Sequence, residues 1–284
     1  MRLARVADRF GLVAGDRYTS LAALGIHDHD ARTNTLFDDW EGFRTSVDGL
    51  DESEVLARSE PLRPESLQQP VGYPRQIFAL ALNYADHAAE AGAEVPEYPL
   101  VFPKYPSSVI GPADGVVLGS NRVDWEVELV VVVGRGGFAI PEAEGWGAVA
   151  GLTIGQDLSD RRIQARKPLP HFALAKSGPT YAPVGPYLVT PDELENPDDL
   201  AIRCEINGEV VQSSRTSQLI FDVPRLVAEI SSAVRLEPGD LIFTGTPAGV
   251  GASQQPRRYL EPDAEIVSVI EGIGSMTHHC TPRA

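Results

Sequence analysis

VDWEVELVVVVG, residues 123–134, is the stretch on which the reading of this chain turns. Asp124, Glu126 and Glu128 alternate with apolar residues, and the segment then runs on as LVVVVG without alternation. In a strand, alternate side chains share a face, so the period of two points all three carboxylates the same way at the mouth of the segment. A wet edge strand gives the same spacing. The unbroken apolar run argues instead for burial on both faces, where an unpaired carboxylate is costly. A second strand-like piece, GLTIGQD at 151–157, ends in Asp157. Two such strands side by side bring Glu126, Glu128 and Asp157 together. A divalent cation offsets the repulsion among three carboxylates, and an all-oxygen set without His or Cys favours a hard ion, Mg²⁺ or Mn²⁺.

Around this stretch the chain is punctuated into short apolar runs of strand length, among them IFALAL, GVVLG, LAIRCEINGEVVQ, GDLIFTGT and AEIVSVIEG. The Asn-Gly pair at 207–208 marks a tight hairpin. Helical patterns are fewer: NYADHAAEAG, SDRRIQARK and DVPRLVAEISSAV. Many strands with few helices predict a β-rich α+β fold. Prolines at 61, 64, 70 and 74 mark a connector, which divides the chain into a small N-terminal domain with its Pro-rich linker, 1–69, and a main domain, 70–284. The acidic segment DDWEGFRTSVDGLDESEV in the first part offers nothing catalytic.

The 284 residues carry a net charge of −16 with no Lys/Arg-rich run, so no nucleic-acid partner is expected. No apolar stretch is long enough to cross a membrane and no leader pattern opens the chain, which predicts a cytoplasmic protein without a membrane partner. Cys204 and Cys280 are too few for a disulfide framework and are read as packed thiols.

Further candidates surround the acids. Arg161 and Gln164 lie three apart and share a helix face just after Asp157, and Lys176 follows; these groups suit an anionic ligand despite the acidic whole. His87 and Glu90 are likewise i and i+3 on a short helix, so the acid can orient the imidazole as a general base. GTPAGVG, near 245–251, fits neither phosphate-loop spacing and is read as a tight turn whose amides and Thr246 hydroxyl can bind a carboxylate. His27, His29, His278 and His279 are expected to be solvated, and His171 to pack.

Taken in order, LNYADHAAEAG, PLVFPKYPSSVIGP, DWEVELVVVVGR, GLTIGQDLSDRRIQ, FALAKSGPTYAPVGP, INGEVVQSSRTSQLIF and LEPGDLIFTGTPAGVG resemble the fumarylacetoacetate hydrolase (FAH) superfamily, in its acylpyruvase and 2-hydroxyhepta-2,4-diene-1,7-dioate isomerase-like branch. The resemblance spans most of residues 70–275. It implies a partly rolled mixed β-sheet, a homodimer, and a small anionic 2-oxo acid as substrate. It makes Glu126, Glu128 and Asp157 the ligands of Mg²⁺ or Mn²⁺, and His87 and Glu90 a catalytic dyad. Lys176 is then the lysine beside the metal, while Arg161, Gln164 and Thr246 bind substrate. The implied activity is metal-dependent hydrolysis of a C–C bond in an acylpyruvate, or decarboxylation, isomerisation or hydration of oxaloacetate or a 2-oxo-ene-dioate at the same site.

Overall fold

The strand Val127–Val133 lies in the middle of a 12-stranded mixed sheet, between Val149–Gln156 and Leu241–Phe243. Every one of its residues is buried. Its two faces serve two cores, as a central strand with no polar alternation requires. Leu129, Val131 and Val133 face one cluster and Val130 and Val132 the other. The structure, a computed structural model, describes residues 1–27 and 29–283.

Outward from that strand the sheet runs in both directions. On one side Leu241–Phe243 pairs in parallel with Ile77–Ala81, and the edge is Leu100–Pro103. On the other, Val149–Gln156 is followed by Ala182–Val189, and the N-terminal strands Arg2–Val6, Arg9–Ala14 and Arg17–Ser20 continue the same sheet. Residues of the first segment, including Phe10, Leu36, Phe37, Trp40 and Phe43, pack with Val130, Val132 and Phe243 in one apolar cluster. The segment read from sequence only as polar and acidic forms two helices, Trp40–Val47 and Glu52–Ala57, the second opened by a capping box from Asp51 and Glu54.

A five-stranded sheet covers the opposite face, in the order Glu209–Arg215, Ala201–Ile206, Glu265–Ile270, Gly274–Pro282, Val116–Leu118. Asn207 and Gly208 both take positive φ, 52° and 79°, in the tight turn that the Asn-Gly pair predicts. The helix Val223–Ala233 closes the first core with Val223, Leu226, Val227 and Ile230. The β-rich α+β reading therefore holds. Among the described residues, no helix is long and apolar enough to cross a membrane.

Two histidine expectations fail. His278 is fully buried, because alternation along Gly274–Pro282 turns it inward; Nε2 meets the Gly111 carbonyl at 3.2 Å, and burial pushes its pKa down to about 4. His171, expected to pack, is exposed at the start of the short helix Phe172–Ala175. Cys204 behaves as a packed thiol: burial raises it to about 12.

Candidate active site

The site lies where the strand pair opens. Val123–Asp124 pairs with Ser159–Asp160, and Val127–Val133 with Val149–Gln156, but the residues between leave the ladder. Side-chain amides take over the freed backbone donors. Gln156 Oε1 accepts from the Glu126 amide and Gln212 Oε1 from the Val127 amide, each at 3.0 Å. The Asp157 amide donates to the Glu126 carbonyl at 2.9 Å, which fixes the two acids side by side.

Glu126, Glu128 and Asp157 converge as the spacing predicts. Each is buried, and each offers a carboxylate oxygen within 4.8 Å of the others. Asp124 does not join them. Its carboxylate accepts from the amides of Gly251 (2.7 Å) and Ala252 (3.0 Å) and from Arg161 Nε (2.9 Å), so it anchors the loop after Leu241–Phe243. Period two put it on the right side of the chain, and the break at Trp125 gave it a different task. Trp125 is itself buried, with Nε1 donating to the Gly249 carbonyl at 3.1 Å.

Three cations answer the acids. Lys176 Nζ reaches Glu126 at 2.6 Å and Asp157 at 2.7 Å, and Arg161 Nη2 reaches Glu126 at 2.5 Å. Burial would raise Glu126, but Lys176 and Arg161 outweigh it and hold the carboxyl down, at about 2. The third cation, Lys104, was overlooked in the sequence. It is wholly buried, donates to Asp157 at 2.5 Å and to the Lys176 and Tyr181 carbonyls, and sits 5.6 Å from the Phe243 ring centre. A single lysine inside the apolar, proline-flanked LVFPKYP was the available signal, since a charge there must be paired if buried.

Glu128 is different. One oxygen accepts from the Gly245 amide at 2.8 Å; the other, Oε1, is buried and has no partner among the described residues. Burial, with Asp157 and Glu126 alongside, pushes this carboxyl well above the usual range. An anion without a counter-charge, next to two further carboxylates, is the place for a cation. The donors are all carboxylate oxygens, so the set fits a hard divalent ion.

The second constellation comes from the helix Ala85–Ala91. His87 Nδ1 meets Glu90 Oε2 at 3.0 Å, and Glu90 Oε1 accepts from the Gly249 amide at 2.9 Å. Asp86 clamps the helix in place: Oδ1 accepts from the His87 amide at 2.7 Å, and Oδ2 accepts from the Ser214 hydroxyl at 2.6 Å. The loop 244–249 thus touches both groups, with Gly245 on Glu128 and Gly249 on Glu90. Gly245 takes φ +98°, and a Cβ there would lie 2.9 Å from Asn83 Cβ, so glycine is needed for the approach.

The remaining candidates are close by but engaged. Arg161 Nη1 donates to Gln164 Oε1 at 2.9 Å, on a helix that spans only Arg161–Gln164 rather than the longer run the pattern suggested. The Thr246 hydroxyl donates to the Val127 carbonyl at 2.9 Å and accepts from Gln212 Nε2 at 2.8 Å. GTPAGVG, expected to be a tight turn, is instead an irregular loop with a bend at Ala248 that leads into the short helical turn Gly251–Ser253.

Fold and site together define an enzyme class: a β-rich scaffold holding a carboxylate centre suited to a divalent ion, with a histidine–glutamate pair beside it. The chain belongs to the fumarylacetoacetate hydrolase family. The family model for the fumarylacetoacetate (FAA) hydrolase C-terminal region matches residues 76–281. The oxaloacetate tautomerase Fahd2a, mitochondrial, of Rattus norvegicus is 42% identical over 225 residues, covering 78% of this chain and 72% of that protein. An HpcE-like protein of Mycobacterium smegmatis superposes with a TM-score of 0.93 at 45% identity, over 100% of both chains. Maleylpyruvate hydrolase from Sphingobium sp. SYK-6, in complex with manganese (II) ion and pyruvate, superposes with a TM-score of 0.81 at 28% identity, also over 100% of both chains.

Proposed function

We propose that the protein moves a proton at the carbon next to the keto group of a small dicarboxylic 2-oxo acid, with enol–keto tautomerisation of oxaloacetate as its reaction. The observation that carries this reading is one acid–base pair, His87–Glu90, tied by a single loop to the three-carboxylate centre. Ketonisation takes a proton from the enol oxygen and delivers one to carbon, and one imidazole can do both. The 42% identity to a named oxaloacetate tautomerase supports the choice of substrate.

A divalent ion held by Glu126, Glu128 and Asp157 supplies Lewis-acid polarisation of the 2-oxo group when bound. Nδ1 of His87 is held by Glu90, which leaves Nε2 to accept the enol proton and return one to carbon. Lys176, fixed between Glu126 and Asp157, stabilises negative charge at the enolate oxygen, and needs no reorganisation to do so. Arg161 and Gln164, joined to each other at the edge of the centre, orient the distal carboxylate. Thr246 receives the other carboxylate by giving up its bond to Val127.

C–C hydrolysis of an acylpyruvate is the second reading, favoured by the likeness to a maleylpyruvate hydrolase crystallised with manganese and pyruvate. In that reaction His87 activates a water instead of protonating carbon. The discriminating assay follows enol-oxaloacetate by its ultraviolet absorbance, and pyruvate released from acetylpyruvate, with Mg²⁺ or Mn²⁺ and then with EDTA. Faster loss of the enol without pyruvate supports the tautomerase. Pyruvate from acetylpyruvate replaces it with the hydrolase, and pyruvate from oxaloacetate replaces it with a decarboxylase.

A further inference from the structure

Tyr84 immediately precedes the helix that carries His87 and Glu90, and its side chain is wholly buried. Among the described residues its hydroxyl has no hydrogen-bond partner, and neither has Glu128 Oε1. Buried polar atoms are rarely left so, and each unpaired one in a native fold asks for an explanation. Tyr84 is joined through its neighbour Asn83 to the loop that holds Glu128. Asn83 Nδ2 donates to the Thr244 carbonyl at 2.7 Å and packs against Gly245, whose amide holds the other oxygen of Glu128. Burial first, then the charges of Glu128 and Asp86, raise the phenol far above its ordinary value, so Tyr84 keeps its proton and remains a donor. The two unpartnered atoms do not bond each other. An oxygen ligand at the carboxylate centre would give the phenol its acceptor, and an ion beside it would face the carboxylate.

We propose that Tyr84 is a ligand-binding residue of the carboxylate centre, its hydroxyl donating to an oxygen ligand held beside Glu128 Oε1. The proposal rests on the reading that Glu126, Glu128 and Asp157 bind a divalent ion. The oxygen has two possible sources, a water of the ion's hydration shell or an oxygen of the 2-oxo acid, and Tyr84→Phe separates them because it removes the hydroxyl and nothing else. If a water is the acceptor, calorimetric titration of the metal-free full chain with Mn²⁺ gives an affinity about 10- to 100-fold weaker in Y84F, the usual effect of losing a partner behind the ligands. If a substrate oxygen is the acceptor, Mn²⁺ binds Y84F as it binds the wild type, and pyruvate binds the Mn²⁺-loaded variant about tenfold more weakly. Equal affinities in both titrations overturn the proposal and leave the metal centre standing. A wild-type chain that binds no Mn²⁺ overturns the centre and the proposal together. In EDTA the variant is expected to melt at or above the wild-type temperature, because the hydroxyl makes no bond among the described residues. A large drop there would assign Tyr84 to packing and sink the idea.

Discussion

Replacing Glu128 with glutamine isolates the one carboxylate in the centre that the protein leaves unneutralised. Glu126 and Asp157 have lysines within 2.7 Å, whereas among the described residues Glu128 has only the Gly245 amide on one oxygen and nothing on the other. With the three ligand atoms within 4.8 Å of one another, each neighbouring carboxylate repels a charged Glu128 by about 3.5 kcal/mol at an effective dielectric of roughly 20. Lys176 attracts it and removes part of that, and protonation caps the rest. A net gain of about 1–3 kcal/mol for E128Q in metal-free protein at pH 8 is the expected balance. The amide oxygen of glutamine still accepts from Gly245, so the comparison removes charge and little else.

The pH dependence has a definite sign. Because the folded carboxyl is raised above its unfolded value of 4.5, first by burial and then by Asp157 and Glu126, the folded chain holds the proton more tightly. Wild-type stability from this group is therefore fully present below 4.5 and is lost as pH rises through the raised folded value. E128Q lacks that loss, so its advantage is present at pH 8 and shrinks toward pH 4.5. At about 2–4 °C per kcal/mol for a chain of this size, thermal unfolding in EDTA places E128Q about 2–12 °C above wild type at pH 8. Saturating Mn²⁺ stabilises the wild type by binding the native state, and E128Q much less, so the order narrows or reverses. E128Q melting at or below the wild type in EDTA at pH 8 would refute the account of an uncompensated anion. Equal Mn²⁺ stabilisation of the two would refute Glu128 as a ligand.

Two further outcomes follow from the scaffold. Ser214→Ala removes the 2.6 Å bond that ties Asp86, and with it the His87 helix, to the strand Glu209–Arg215. It should lower kcat about tenfold with KM nearly unchanged, since misplacing a proton-transfer group affects the chemical step most, and Ser214→Thr should restore activity; a change confined to KM would show that the clasp does not position the dyad. A chain beginning at residue 70 should fail to fold, because Leu3, Phe10, Leu36, Phe37, Trp40, Phe43 and Val47 contribute to the same apolar cluster as Val130, Val132 and Phe243. Burial of those seven side chains is worth on the order of 10–20 kcal/mol, which matches or exceeds the typical net stability of a domain. Circular dichroism and melting of the shortened chain test this, and a native-like melting temperature would contradict it.

What the sequence disclosed, and what it hid, divides along a physical line. The acids that meet were legible because strand geometry is periodic: Glu126 and Glu128 share a face by the rule of two, and Asp157 ends the neighbouring strand. His87 and Glu90 were legible for the same reason on a helix. Asp124 obeyed the same period and still took another role, because the ladder opens at Trp125 and the amides of Gly251 and Ala252, more than a hundred residues away in the chain, arrive to fill the gap. No local pattern encodes which loop will do so.

Lys104 and Tyr84 were hidden by the converse effect. Each is one polar atom at the end of a side chain whose body reads as core, and each gains meaning only from burial beside the carboxylates. Periodicity reports faces, whereas charge compensation is a sum over everything that packs on a site, whatever its distance along the chain. Glu128 is where that sum fails to close within the protein, since Lys104, Lys176 and Arg161 all bond to its neighbours and none to it. A fold that brings three cations to this centre and leaves one buried carboxylate oxygen without a partner among the described residues has kept a position for a charge that is not its own.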